Sequence, residues 1–217
     1  MPKPASAFRI RADERIFICG RTGSGKTFLA MHLLLPVSRL VVIDPKASLA
    51  AWELEDWGEA ARRRLRNGEP VRTRAVEPEE AMEALAEAYE AGNVIVYIDE
   101  VYGLVPPGSR PDPVLTAIWT RGRERKVAGW ASTQRPTWVP LFVMSEADHF
   151  FIFTLNLAED RARVAGFVGE GVMQPPRHPH GFYHYSVREG RLRYFKRLEA
   201  TLRPETVRKE QEEVTHV

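Results

Sequence analysis

Apolar and polar positions along the chain form blocks that predict strands and helices in turn. Short apolar runs at 16–19, 40–43 and 94–98 are typical of strands buried on both faces of a sheet. Blocks with apolar residues three or four positions apart, at 28–34 and 78–91, predict helices. Because the two kinds of block alternate, we predict an α/β fold, a mostly parallel sheet with helices on both faces.

The same pattern extends the prediction to the rest of the chain. It indicates an irregular helical stretch at 48–66, strands at 71–76, 127–133 and 149–155, and helices at 113–126 and 158–168. Two apolar segments flanking Glu189-Gly190 predict a C-terminal β-hairpin within residues 181–198. We expect one domain over residues 1–198 and a charged, flexible tail over 199–217.

Composition limits the classes of protein that need considering. At 217 residues and 44% hydrophobic, the chain can bury one α/β core. We expect no transmembrane segment, since no apolar run approaches about 18 residues. The single cysteine, Cys19, falls in the first predicted strand, so an intrachain disulfide is excluded. The net charge is only +2, so contact with nucleic acid would have to come from local patches.

A phosphate-binding loop follows the first predicted strand and opens the first predicted helix. Its residues match the pattern G-x-x-x-x-G-K-[ST]: Gly20, Arg21, Thr22, Gly23, Ser24, Gly25, Lys26 and Thr27. Backbone N–H groups of such a loop surround phosphates, and the helix N-terminus adds partial positive charge. We expect Lys26 to reach the β- and γ-phosphates of ATP and Thr27 to hold Mg²⁺.

Two carboxylates follow the strongest predicted strand, residues 94–98. Open α/β sheets bind their ligands at the carboxyl ends of strands, which is where Asp99 and Glu100 lie. Asp99 is expected to belong to the Mg²⁺ shell. Glu100 is positioned to accept a proton from attacking water, which favours hydrolysis over transfer to a substrate hydroxyl.

A polar cluster ends the predicted strand 127–133. There Gln134 carries a neutral amide that can orient water beside a γ-phosphate without adding charge. Upstream, the segment from Thr120 to Lys126 is densely basic. Its cations either complement the helix dipole or include an arginine finger that acts on a neighbouring subunit.

The chain resembles the FtsK/HerA superfamily of P-loop ATPases. The resemblance covers about residues 10–170 and rests on four segments: the loop Gly20 to Thr27, Ile43-Asp44-Pro45-Lys46, Ile98-Asp99-Glu100 and Thr133-Gln134-Arg135-Pro136. Within that superfamily the chain is similar to the genome-packaging ATPases of tailless, membrane-containing icosahedral viruses. The resemblance implies a single RecA-like (ASCE) ATPase domain.

The resemblance also implies roles and partners. It makes Lys26, Glu100 and Gln134 catalytic, with Arg123 as the first candidate finger and Arg121 as its competitor. It implies ATP and Mg²⁺ as cofactors, a homo-oligomeric ring (a pentamer or hexamer), double-stranded DNA bound without sequence specificity, and capsid vertex proteins as partners. The expected location is the host cytoplasm or the packaging vertex of the virion.

Contact with DNA requires cations that track phosphates. The sequence offers Arg110, in the Gly- and Pro-rich stretch 102–113, and the run Arg62, Arg63 and Arg64. For both segments a solvated surface is an equally good interpretation. His178, His180 and His184 lack the spacing of a recognised metal site, and we expect them to pack in a loop or hairpin.

Four functions are compatible with the sequence. The first is an ATPase that translocates double-stranded DNA into a preformed capsid. The second is a small-molecule kinase, which would also use a phosphate loop. The third is a non-packaging DNA-transfer or assembly ATPase of the same superfamily, and the fourth is a non-catalytic scaffold in which ATP only stabilises a ring.

Overall fold

In the computed structural model, which describes residues 10–49 and 52–198, nine strands form one sheet in the order β3-β4-β2-β5-β6-β1-β7-β8-β9. The strands are β1 (Ile16–Cys19), β2 (Arg39–Ile43), β3 (Glu55–Asp56), β4 (Val71–Ala75), β5 (Val94–Ile98), β6 (Val127–Thr133), β7 (His149–Ile152), β8 (Phe182–Ser186) and β9 (Arg191–Phe195). Strands β1 to β7 are all parallel, and β8 and β9 continue the sheet as an antiparallel hairpin. The predicted α/β class and hairpin are confirmed.

Within the described ranges, six α-helices cover the two faces of the sheet. They are α1 (Lys26–Leu34), α2 (Glu59–Arg66), α3 (Pro78–Ala91), α4 (Pro113–Arg121), α5 (Leu141–Ser145) and α6 (Ala158–Val168). Apolar side chains of α1 pack on one face, and those of α2 to α6 pack on the other. None of the helices in the described ranges is both long and apolar enough to cross a membrane.

Several predicted boundaries differ from the structure. The helix predicted over 48–66 begins only at Glu59, because residues 55–56 pair with β4 as the short strand β3. The helix predicted to reach Lys126 ends at Arg121 and continues as a 3₁₀ turn over Gly122–Arg125. The predicted tail, 199–217, lies outside the described residues.

The C-terminal hairpin is attached to the sheet through aromatic and imidazole contacts. His149 Nδ1 of β7 lies 3.0 Å from His184 Nε2 of β8, and His149 Nε2 lies 3.0 Å from Glu14 Oε2. His184 also stacks on Phe151. Burial lowers the pKa of His184 to about 3, with a smaller effect from the neighbouring His149 and Arg193. His184 is therefore neutral in the folded protein at neutral and mildly acidic pH.

Acid should weaken the attachment of this hairpin. Because the pKa of His184 is depressed in the folded state, the unfolded chain binds a proton there first as the pH falls below about 6.5. The contribution of neutral His184 to the free energy of unfolding is complete above that pH. It is lost as the pH falls towards 3, by at most about 1.4 kcal/mol per pH unit. We expect a His184→Phe variant to show a shallower fall in unfolding free energy between pH 6.5 and 4.5, measured by urea titration. Parallel curves for the two proteins would contradict the assignment.

Candidate functional site

The phosphate loop joins the buried end of β1 to the first turn of α1. Gly20 has φ +156°, and a Cβ there would lie 2.5 Å from the Cβ of Phe153. The Gly20 N–H donates to the Thr133 carbonyl oxygen at 3.1 Å, and the Arg21 N–H donates to the Thr154 carbonyl oxygen at 2.7 Å. The loop is therefore tied to the ends of both strands that flank β1.

Lys26 is buried within this loop. Its Nζ lies 3.3 Å from the Arg21 carbonyl oxygen, and 6% of the residue is exposed. Burial lowers the pKa of Lys26, while the nearby Glu100 and Asp99 carboxylates oppose that effect. A cation held close to two carboxylates in a concave loop is well placed to receive a polyphosphate, whose charge would compensate its burial.

Asp99 and Glu100 both lie buried at the carboxyl end of β5, as predicted. Asp99 Oδ1 accepts hydrogen bonds from Ser132 Oγ at 2.6 Å and from Tyr97 Oη at 3.0 Å, so its orientation is fixed. Glu100 has φ +55°, a left-handed conformation that costs a non-glycine residue free energy. Such strain at a strand end is common where a side chain must be directed into a site.

Gln134 connects the carboxylate pair to the phosphate loop. Its backbone N–H donates to Glu100 Oε2 at 3.0 Å, and its Nε2 donates to Glu100 Oε1 at 2.6 Å. The Gln134 Oε1 in turn accepts a hydrogen bond from Thr22 Oγ1 at 2.7 Å. The amide thus contacts the Glu100 carboxylate and the phosphate loop at once.

Lys46 is a member of this cluster to which the sequence assigned no role. Its Nζ lies 3.8 Å from Glu100 Oε1. The loop that carries Lys46 is shaped by Asp44, whose carboxylate accepts from the Ser48 and Leu49 backbone N–H groups. Only the order of the strands in space, with β2 beside β5, could have revealed this contact.

A cavity of about 530 Å³ adjoins the phosphate loop on the α1 face. Besides the loop, it is lined by Phe153, His180, Phe182 and Arg197. His180 Nδ1 lies 3.3 Å from the Ser24 carbonyl oxygen. The volume and the aromatic lining are within the range of sites that bind small molecules. No sequence pattern indicates this cavity, because the pairing of β7, β8 and β9 is what brings Phe153, His180 and Arg197 to the loop.

Arg121 and Arg123 lie at the opposite edge of the sheet, where the parallel strands have their amino ends, away from the phosphate loop. They precede the first residue of β6, whereas Gln134 follows its last. Seven residues of strand span about 20 Å. Arg123 Nη2 contacts both carboxylate oxygens of Asp148, at 3.0 and 3.3 Å, and Asp148 precedes β7 at the same edge. Arg121 is exposed.

The predicted DNA contacts on α2 lie close to acidic side chains. Arg62 forms ion pairs with Glu59, Glu83 and Glu87, and Arg64 pairs with Glu55. Arg63 is exposed on the same helix, and Arg110 is exposed in the loop before α4. Paired carboxylates offset the positive charge of α2, which weakens the case for this run as a phosphate-binding surface.

Trp138 is an exposed aromatic side chain near the site: 42% of it is exposed, with the Arg135 guanidinium 4.2 Å above its ring. His178, His180 and His184 do not converge: they contact Tyr194, the phosphate loop and His149 respectively.

The phosphate loop, the carboxylate pair and the parallel sheet define a RecA-like P-loop ATPase. No family model matches the chain. The chain is 33% identical over 178 residues to the DNA packaging ATPase P9 of Enterobacteria phage PRD1, an alignment covering 75% of each protein. It therefore belongs to the family of phage DNA-packaging ATPases that includes P9.

Solved structures agree on the fold. The genome packaging NTPase B204 of Sulfolobus turreted icosahedral virus 2, in complex with AMPPCP, superposes with a TM-score of 0.71 at 17% identity, covering 87% of this chain and 100% of B204. The conjugation coupling protein TcpA of pCW3 superposes with a TM-score of 0.62 at 13% identity, covering 92% of this chain and 65% of TcpA.

A pair of glycine variants tests the phosphate-loop geometry. Gly20→Ala should lower the melting temperature and abolish binding of a fluorescent ATP analogue, because its Cβ meets Phe153 at 2.5 Å. Gly68→Ala, outside the loop, is the matched control: Gly68 also has positive φ, but a Cβ there meets nothing within 4 Å. The control should cost only about 1 kcal/mol of backbone strain. Equal behaviour of the two variants would contradict the close approach to Phe153.

Proposed function

We propose that this packaging ATPase acts as a homo-oligomeric ring, in which an arginine of one subunit completes the ATP site of the next, and that hydrolysis drives double-stranded DNA into a capsid. The proposal rests on where four residues lie along the strands. Arg121 and Arg123 lie at the amino ends of the strands, whereas Lys26 and Glu100 lie at the carboxyl ends. An arginine at the opposite edge cannot reach the phosphates of its own subunit. It could complete a neighbour's ATP site if subunits pack in a ring with the arginine-bearing edge of one subunit against the ATP-binding edge of the next.

Within one subunit, the loop Gly20 to Thr27 binds the triphosphate and Lys26 neutralises its β- and γ-phosphates. Glu100 takes the proton of the attacking water. Gln134 holds the Glu100 carboxylate by two hydrogen bonds, which fixes the direction in which that base faces. The Thr22–Gln134 hydrogen bond places the sensing amide on the loop where the γ-phosphate binds.

The residues present also fit Mg²⁺. Thr27 and Asp99 offer the hard oxygen ligands that this ion prefers, and nucleotide phosphates and water supply the rest of its shell. The fixed Asp99 carboxylate suits that role, since Ser132 and Tyr97 orient it. When bound, Mg²⁺ would offset phosphate charge during hydrolysis.

Asp148 is the resting partner of the candidate finger Arg123. Its carboxylate also accepts a hydrogen bond from the Arg15 backbone N–H at 2.8 Å, so it is itself held in place. The Arg123 side chain remains 56% exposed, which leaves it free to exchange this surface ion pair for a neighbour's γ-phosphate. Arg121 is the alternative finger.

The likeness to P9 supports DNA and a capsid as partners, and the host cytoplasm or the packaging vertex as the location. The cavity lined by Phe153 and Phe182 is proposed to receive the nucleoside of ATP. DNA would be held through its phosphates without sequence specificity.

A Glu100→Gln variant should bind ATP normally and lose hydrolysis by about 10² to 10⁴-fold, because the amide cannot accept the proton. The measurement is phosphate release with and without duplex DNA. Glu170→Gln, at an exposed position away from the site, is the matched control and should behave as wild type. Full hydrolysis by Glu100→Gln would refute the role of Glu100, and phosphorylation of a nucleoside or sugar by the wild type would favour a kinase.

Mixing two inactive variants tests the finger in trans. Arg123→Ala subunits keep an intact Glu100, and Glu100→Gln subunits keep an intact finger, so mixed rings contain some complete sites. We expect hydrolysis to recover partly in the mixture and to be lost in each variant alone. The parallel mixture of Arg121→Ala with Glu100→Gln identifies which arginine acts. No recovery in either mixture would contradict a finger supplied by the neighbour.

A further inference from the structure

The C-terminal hairpin carries positive charge that, apart from Arg197, the proposed ATP site does not use. Residues 182–198, called here the basic hairpin, contain five of the 31 Lys and Arg residues but one of the 29 Asp and Glu residues. The whole chain has a net charge of only +2. The basic hairpin therefore has a formal net charge of +4, whereas the rest of the chain has a formal net charge of −2.

These cations are largely exposed. Arg188, Arg191, Lys196 and Arg197 are exposed, and Arg193 is the member that forms an ion pair, with Glu189. Among the described residues, no other carboxylate pairs with a cation of the basic hairpin. On α2, by contrast, Arg62, Arg64 and Arg66 each form ion pairs, with Glu55, Glu59, Glu83 or Glu87.

The cations follow an edge strand. Within the described part of the chain, β9 is the last strand of the sheet and pairs on one side only, with β8. Strand β9 itself spans about 16 Å, and Lys196 and Arg197 follow it at a bend. Duplex DNA presents one phosphate charge per about 1.7 Å of axis, so a row of this length can face several phosphates.

The turn of the basic hairpin contacts the residue that holds Arg123, and the last residues of the hairpin adjoin the proposed ATP site. The Val187 N–H at its turn donates to the Asp148 carbonyl oxygen at 3.0 Å, and the Asp148 carboxylate holds Arg123. At the other end, Arg197 lines the cavity beside the phosphate loop. A polyanion bound along β9 would therefore lie near the residue that holds the candidate finger Arg123 and near the cavity beside the phosphate loop.

We propose that the exposed cations of the basic hairpin bind the phosphate backbone of duplex DNA. This inference rests on the proposed DNA-translocating function. It assigns the DNA contact to β9 and its turn instead of to α2 and the loop that carries Arg110. Arginine predominates, and its guanidinium fork suits phosphate oxygens. Charges on an edge strand also discourage strand pairing between molecules, but either sign of charge would serve that purpose. An anionic membrane is a less favoured partner, because the described hairpin exposes few large apolar side chains that could enter lipid, namely Val187 and Tyr194.

The test compares two double variants of the full chain. Arg188→Gln/Arg191→Gln removes two cations of the basic hairpin, and Arg63→Gln/Arg110→Gln removes two exposed arginines elsewhere. Arg197 is left intact because it lines the nucleotide cavity. Melting temperatures establish that both variants fold. Fluorescence anisotropy then measures binding to labelled duplex DNA at several salt concentrations, and flotation measures binding to phosphatidylglycerol vesicles.

We expect the hairpin variant to bind DNA at least about ten-fold more weakly at 0.1 M salt, with a dependence of log K on log salt that is shallower by about two. The Arg63/Arg110 variant should bind as wild type. If wild type binds DNA and the hairpin variant binds equally well, or loses only vesicle binding, the hairpin proposal is wrong and the proposed function stands. If wild type binds no DNA, the proposed function itself fails.

Discussion

The parallel direction of seven strands is the constraint on which the site depends. Because β1, β5 and β6 run side by side in one direction, their carboxyl ends bring together the phosphate loop, Glu100 and Gln134. The same constraint places Arg121 and Arg123 at the opposite edge, since both precede β6. One subunit thus presents an ATP-binding edge and an arginine-bearing edge, a polarity that edge-to-edge packing in a ring would use.

Within the binding edge, most charged groups are held by neighbours. Gln134 holds Glu100, Ser132 and Tyr97 orient Asp99, and Lys26 is buried near both carboxylates. Preorganised groups of this kind need little rearrangement when charge develops during the reaction. The contact between Gln134 and Thr22 gives the base a direct connection to the loop that receives the phosphates. In the proposed function, this one hydrogen-bonded cluster would serve both hydrolysis and detection of the nucleotide.

The sequence predicted the elements that depend on local pattern. Apolar runs located β1, β5 and β6, and the polar residues after each strand located the phosphate loop, Asp99-Glu100 and Gln134. It could not predict contacts that depend on which strands are neighbours, such as Lys46 on Glu100 or Phe153 on Gly20. The helix predicted over 48–66 was wrong in its first half because tertiary pairing with β4 made a strand there. The charge of Arg62 and Arg64 also looked available from sequence alone, since their acidic partners are distant along the chain or across a turn.

The central claim is that the ATP site is completed by a second subunit. The most direct measurement is a cryo-electron microscopy structure of the full chain carrying Glu100→Gln, assembled with ATP and duplex DNA. We expect a closed ring in which the guanidinium of Arg123 or Arg121 lies within hydrogen-bond distance of the γ-phosphate held by the adjacent subunit. A monomer with ATP fully enclosed by its own residues, or a ring in which both arginines point away from every nucleotide, would contradict it.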